Sequence, residues 1–102
     1  MDFVVERYLP GIGQRELQDS LARLRAATEE LRGEGVQVRY LRSTIVPRDE
    51  ACFCQFEGES SEVVAEANRR AGVPFDRIVT VVAVGSIDDL NGHETSRTIG
   101  TT

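Results

Sequence analysis

Between Val36 and Glu57 the chain carries two strand-like runs around one short polar turn: VQVRYLRSTIV, then PRDE, then ACFCQFE. Two such runs separated by a few turn residues read as a hairpin, which fixes a pair of neighbouring antiparallel strands. The alternation in Val36–Val46 is imperfect. Val36, Val38 and Tyr40 share a face, Arg42 follows on it, and Leu41 and Ile45 lie opposite. A bulge, or partial cover of both faces, would reconcile that pattern. In Ala51–Glu57 the alternation is clean, with Cys52, Cys54 and Phe56 on one side and Phe53, Gln55 and Glu57 on the other.

A strand and a helix flank the hairpin on each side. Asp2–Leu9 alternates as a strand, with Phe3, Val5 and Leu9 opposite Val4, Glu6 and Tyr8, and Pro10-Gly11 ends it. Gln14–Arg32 has helical spacing: Leu17, Leu21, Leu24 and Leu31 form a stripe that Thr28 completes. Gly13 serves as its N-cap with Glu16 as half of a capping box, and Gly33 and Gly35 stop it. Gly11-Ile12-Gly13 lacks a third glycine or a following lysine and reads as a plain turn, not a phosphate cradle. After the hairpin, Ser60 is an N-cap for a second helix whose stripe is Val63, Val64, Ala67 and Ala71, closed by Gly72 and Pro74. Arg77–Val84, the most continuous β-branched run, reads as the best central strand.

The order β-α-β-β-α-β predicts an α+β, ferredoxin-like fold with a four-stranded antiparallel sheet and both helices on one face. The other face, with Val4, Tyr8, Phe53, Val79 and Val81, then lies bare. An apolar face of that kind marks a partner or ligand surface, and face-to-face homodimerisation is the expected cover. The ferredoxin-like domain is placed at residues 1–84 and a polar C-terminal tail or arm at 85–102.

The 102 residues suffice for one small domain. A net charge of −5 repels phosphate backbones and anionic membranes, so no nucleic-acid partner is expected. No apolar stretch reaches membrane-spanning length and no basic leader precedes one, so a soluble cytoplasmic protein is expected.

Three groups of side chains could carry chemistry. Cys52 and Cys54 lie two apart on a strand, where side chains run parallel and the Cα separation is near the upper limit for a disulfide. They read as core packing, and two cysteines cannot hold an iron–sulfur cluster. Glu6, Tyr8, Tyr40, Arg42, Gln55 and Glu57 are the polar candidates facing a ligand on the open sheet face, where a second subunit could close a pocket. Asp88, Asp89, His93 and Glu94 form a loose donor cluster in the tail, suited at most to weak divalent-metal binding. No Ser-His-Asp spacing, HExxH or Walker pattern occurs.

The segments VVERYLPGIGQREL (4–17), VRYLRSTIVPRDEACFCQFEGES (38–60) and ANRRAGVPFDRI (67–78) resemble a bacterial family of small ferredoxin-like proteins of unknown function that includes a nickel-binding protein. The resemblance runs from about Val4 to Val84. Its most specific pieces are Leu9-Pro10-Gly11, Phe53-Cys54, Arg70-Ala71-Gly72, Pro74 and Asp76-Arg77-Ile78. It implies a homodimer and divalent metal, Ni2+, at the dimer surface, in sequestration or homeostasis. It carries no metal ligand onto a particular position. This chain departs from the family in Gly13, where a Thr cap is frequent, and in having a single histidine outside the matched region. Binding rather than catalysis is the expectation. The alternative is a small-molecule-binding protein or enzyme using a pocket on the open sheet face.

Overall fold

A computed structural model describes residues 1–84. The elements are β1 (Asp2–Tyr8), α1 (Gln14–Gly33), β2 (Val38–Val46), a 3-10 turn (Pro47–Asp49), β3 (Ala51–Gly58), α2 (Ser61–Ala71) and β4 (Arg77–Val81). The sheet is antiparallel with order β2-β3-β1-β4, the ferredoxin-like arrangement expected from the element order. The tail assigned to 85–102 lies outside the described residues.

Register decides which side chains meet the helices. Phe3 pairs with Phe56, Val5 with Cys54 and with Ile78, and Arg7 with Cys52. All of these but Ile78 are buried, and the apolar ones form a single core with Leu24, Ala27 and Leu31 of α1 and Val64, Ala67 and Ala71 of α2. Both helices therefore cover the same sheet face. Helix-facing side chains on β1 follow the period Phe3, Val5, Arg7, and Leu9, just beyond the strand, packs partly buried against the same core. The grouping Phe3, Val5, Leu9 expected from hydrophobicity holds, with Arg7 as the member it left out.

The strand β2 is interrupted, the first of the two readings its imperfect alternation allowed. Tyr40 pairs with Phe56 and Arg42 with Gln55, so Leu41 is an extra residue in a bulge. Beyond it, Ser43 pairs with Cys54 and Ile45 with Cys52. The position of β4 corrects the sequence reading: Arg77–Val81 is an edge strand bonded only to β1. Its β-branched run is half-buried because one of its faces looks onto the bare side of the sheet, not because neighbours flank it.

The helix ends follow local chemistry. The Ser60 hydroxyl accepts from the Val63 amide, and Gly72 closes α2 at φ 68°, a left-handed conformation that favours glycine. Arg70 clasps the two helices together, reaching Glu66 on α2 at 3.1 Å, Glu30 on α1 at 2.9 Å and Glu34 just beyond α1 at 2.6 Å. Its guanidinium holds the Glu34 and Glu66 carboxyls below the usual carboxylate range. At the other end, Glu50 takes φ 51° after the 3-10 turn and its carboxylate accepts from the Gly11 amide at 3.0 Å, tying the β1–α1 loop to the hairpin.

Candidate functional site

Two regions bring chemistry-bearing side chains together, one on each face of the sheet. On the face away from the helices, cross-strand pairs place Val4 beside Gln55 and Val79, Glu6 beside Phe53 and Arg77, and Asp2 beside Glu57 and Val81. Of the six polar residues expected here, Glu6, Tyr8, Arg42, Gln55 and Glu57 lie on this face. Their charges are already committed. Glu6 accepts from Arg77 at 2.9 Å, Glu57 lies 3.6 Å from Arg39, and Arg42 donates to Gln55. They fringe a partly exposed apolar surface of Val4, Leu41, Phe53, Val79 and Val81. At one end Asp2, Val4, Leu41, Gln55 and Val81 line a shallow hollow of 260 Å³.

Tyr40 is the sixth, and it faces the helices instead. Its ring meets Phe56 edge-on at 5.5 Å, and the Arg25 guanidinium lies 5.4 Å from its centroid. Burial pushes its hydroxyl pKa up, against a smaller downward pull from its hydrogen bond to Ser43. The reason is the bulge: an extra residue at Leu41 puts Tyr40 and Arg42 on opposite sides, whereas unbroken alternation puts them on the same one.

The second region lies beneath the helices and centres on Arg7, which is 3% exposed. Its Nη2 donates to Asn68 Oδ1 at 3.0 Å and to Cys54 Sγ at 3.4 Å, and its Nη1 to the Pro74 carbonyl at 3.2 Å. Asn68 is held in turn by donating to the Val64 carbonyl at 2.8 Å. Cys54 Sγ also lies 2.9 Å from Ser43 Oγ and 3.7 Å from Cys52 Sγ, and Ser43 Oγ lies 2.6 Å from the Tyr40 hydroxyl. The hydrogen bond shared with Cys52, with the charge of Arg7, outweighs burial to bring Cys54 down to about 6. Cys52 is pushed up by the same hydrogen bond and by burial. The two cysteines do pack in the core, as their alternation with Phe53 implied, but in polar company. The signal missed in the sequence was Arg7, the position that strict alternation from Phe3 assigns to the interior.

Neither region is a complete metal centre. Among the described residues no group of three or more His, Cys, Asp or Glu side chains converges on one point. The two soft donors, Cys52 and Cys54, already share their surroundings with a guanidinium, which occupies the place a cation would take. The donor set within the described residues therefore does not fit a divalent metal. Asp88, Asp89, His93 and Glu94 lie outside the described residues. No helix among the described residues is long and apolar enough to cross a membrane.

A comparison with curated proteins finds no match. Among solved structures, the crystal structure of SCO4226 from Streptomyces coelicolor A3(2) is similar, with a TM-score of 0.69 over 82% of this chain and 99% of that one, at 22% identity. That likeness supports the ferredoxin-like fold. The family described as "Nickel responsive protein SCO4226-like" matches residues 3–81, which span all four strands and both helices. On that match the chain belongs to the SCO4226-like family of nickel responsive proteins.

Proposed function

We propose that this protein is a nickel-responsive binding protein, not an enzyme, and that it works in the cytoplasm as a homodimer joined through the open sheet face. The observation that carries this reading is the family match across residues 3–81. The geometry agrees with it in two respects. The apolar surface of Val4, Leu41, Phe53, Val79 and Val81 has no cover from the described residues and suits a second copy. The acidic net charge of −5 favours cations over nucleic acids.

Because one protomer's described residues do not assemble a metal site, nickel donors must come from two protomers or from the segment carrying Asp88, Asp89, His93 and Glu94. Oxygen ligands dominate in either case, since His93 is the chain's single histidine. The alternative of a small-molecule pocket on the open face has less to work with. Glu6 and Glu57 are each paired with an arginine, and Tyr40 points the other way.

Isothermal titration of the tag-free protein with nickel, cobalt and zinc tests the reading. Saturable nickel binding at a fixed number of sites per dimer, weakened in His93→Ala, is expected. Heat that never saturates, for any of the three metals, would overturn it.

A further inference from the structure

The cluster beneath the helices contains a charge that the rest of the core does not balance. None of the ion pairs among the described residues includes Arg7. Its guanidinium is buried, and a desolvated charge is costly without a counter-charge. Asn68 and the Pro74 carbonyl are neutral, and Nε is buried with no acceptor among the described residues. Among the described residues, the one ionisable acid in contact is Cys54. Around its sulfur stand Arg7 from β1, Ser43 from β2 with Tyr40 behind it, and Cys52 from β3. Beyond these lie Asn68 from α2, on Arg7, and the Arg25 guanidinium from α1, over the Tyr40 ring. These contacts are cations, hydroxyls, an amide and a thiol, with no carboxylate among them.

We propose that Cys54 is the counter-ion of Arg7, a core thiolate, and that with Cys52 it forms a two-thiol site for small hydroperoxides. The wall of Cys52 closes a groove of 560 Å³ whose other sides include Leu9, Ile12, Leu17, Ile45 and Pro47. Both cysteines are fully buried, so the site selects an oxidant that is small and uncharged and excludes bulky charged thiols. The Cys54 thiolate attacks one peroxide oxygen and the O–O bond breaks. The departing alkoxide, or hydroxide, takes the proton of the Cys52 thiol and leaves as the alcohol or water. Cys54 is then a sulfenic acid. The Cys52 thiolate attacks its sulfur, the S–O bond breaks, and hydroxide departs to solvent. Two electrons pass from the sulfurs to the peroxide, leaving a disulfide.

That product is unfavourable in two ways. Side chains two apart on a strand run parallel and must be bent together to bond. Arg7 also loses the anion beside it. The disulfide is therefore readily reduced, and the oxidised chain melts at a lower temperature than the reduced one.

Ultraviolet thiolate absorbance of the reduced full-length chain, followed by hydrogen peroxide with thiol counting, tests the proposal. Expected are one thiolate per chain at neutral pH, loss of both thiols on peroxide treatment, and recovery of both with dithiothreitol. In Cys52→Ser, which leaves the Arg7–Cys54 pair in place, the thiolate persists and a sulfenic-acid trapping reagent labels Cys54. Absence of thiolate absorbance at neutral pH in the folded chain would overturn the proposal. So would survival of both thiols in peroxide until the chain is unfolded. Neither readout depends on nickel, so failure here leaves the metal reading standing.

Discussion

Arg7 and Cys54 have opposite charges with little water to share, so neither can be changed alone without cost. Cys54→Ala leaves a guanidinium buried without an anion and should destabilise the fold by about 3 kcal/mol, the cost of breaking a buried pair. Adding Arg7→Met removes the orphaned charge and should restore part of that loss, a coupling that a double-mutant cycle in urea would measure. The pair also gives stability a pH signature. Cys54 sits at about 6 in the folded chain against an ordinary thiol value of 9.0. Its folded pKa is depressed, so its contribution is fully present above the unfolded value and is lost as pH falls through about 6. Between those limits the unfolded chain binds the extra proton, and stability should rise by up to about 1.4 kcal/mol per pH unit. Urea midpoints taken from pH 6 to 9 should climb in the parent and flatten in Cys54→Ala.

At the scale of elements, ends and interruptions matter more than interiors. Gly72 at φ 68° has open space where a Cβ would go, so Gly72→Ala isolates the backbone cost and should lose about 1 kcal/mol in the same assay. Much of this level was legible in the residues themselves. Ser60 and Gly72 bracket α2 because a hydroxyl cap and a residue without a Cβ both act within a turn, and the faltering alternation through Tyr40, Leu41 and Arg42 left a bulge as one of two readings. What could not be read was anything decided across the sheet. A bulge changes the face of the residues beyond it, so Tyr40 and Arg42, expected together from unbroken alternation, lie on opposite sides. The run Arg77–Val81 has the composition of a flanked strand, yet its place at the edge depends on strand order. Arg7 was hidden because a charged residue inside a core needs partners from β3 and α2, distant in sequence, before the interior can hold it.

For the whole molecule the unresolved demand is the bare sheet face. A negative charge at its centre should be tolerated by the monomer, where Val79 is only half-buried, and rejected by a partner. Val79→Glu is therefore expected to turn a dimer into a folded monomer, with sedimentation velocity reporting the mass and circular dichroism the intact fold. A parent chain that already sediments as a monomer would remove the dimer from the proposed function.

The extra residue at Leu41 bears on how this molecule avoids growing without limit. A two-edged sheet offers free backbone donors and acceptors along β2 and β4, and any regular edge can template another chain. At β2 the rhythm of that template is broken midway, so an incoming strand that matches one half of the edge is out of phase with the other. At β4 the template is only five residues long. Addition edge to edge, which has no natural end, is thereby discouraged, while the broad apolar surface remains available to one copy of itself. A face closes when it is covered. The irregular strand thus weighs against edge-to-edge growth, which a straighter one would have invited.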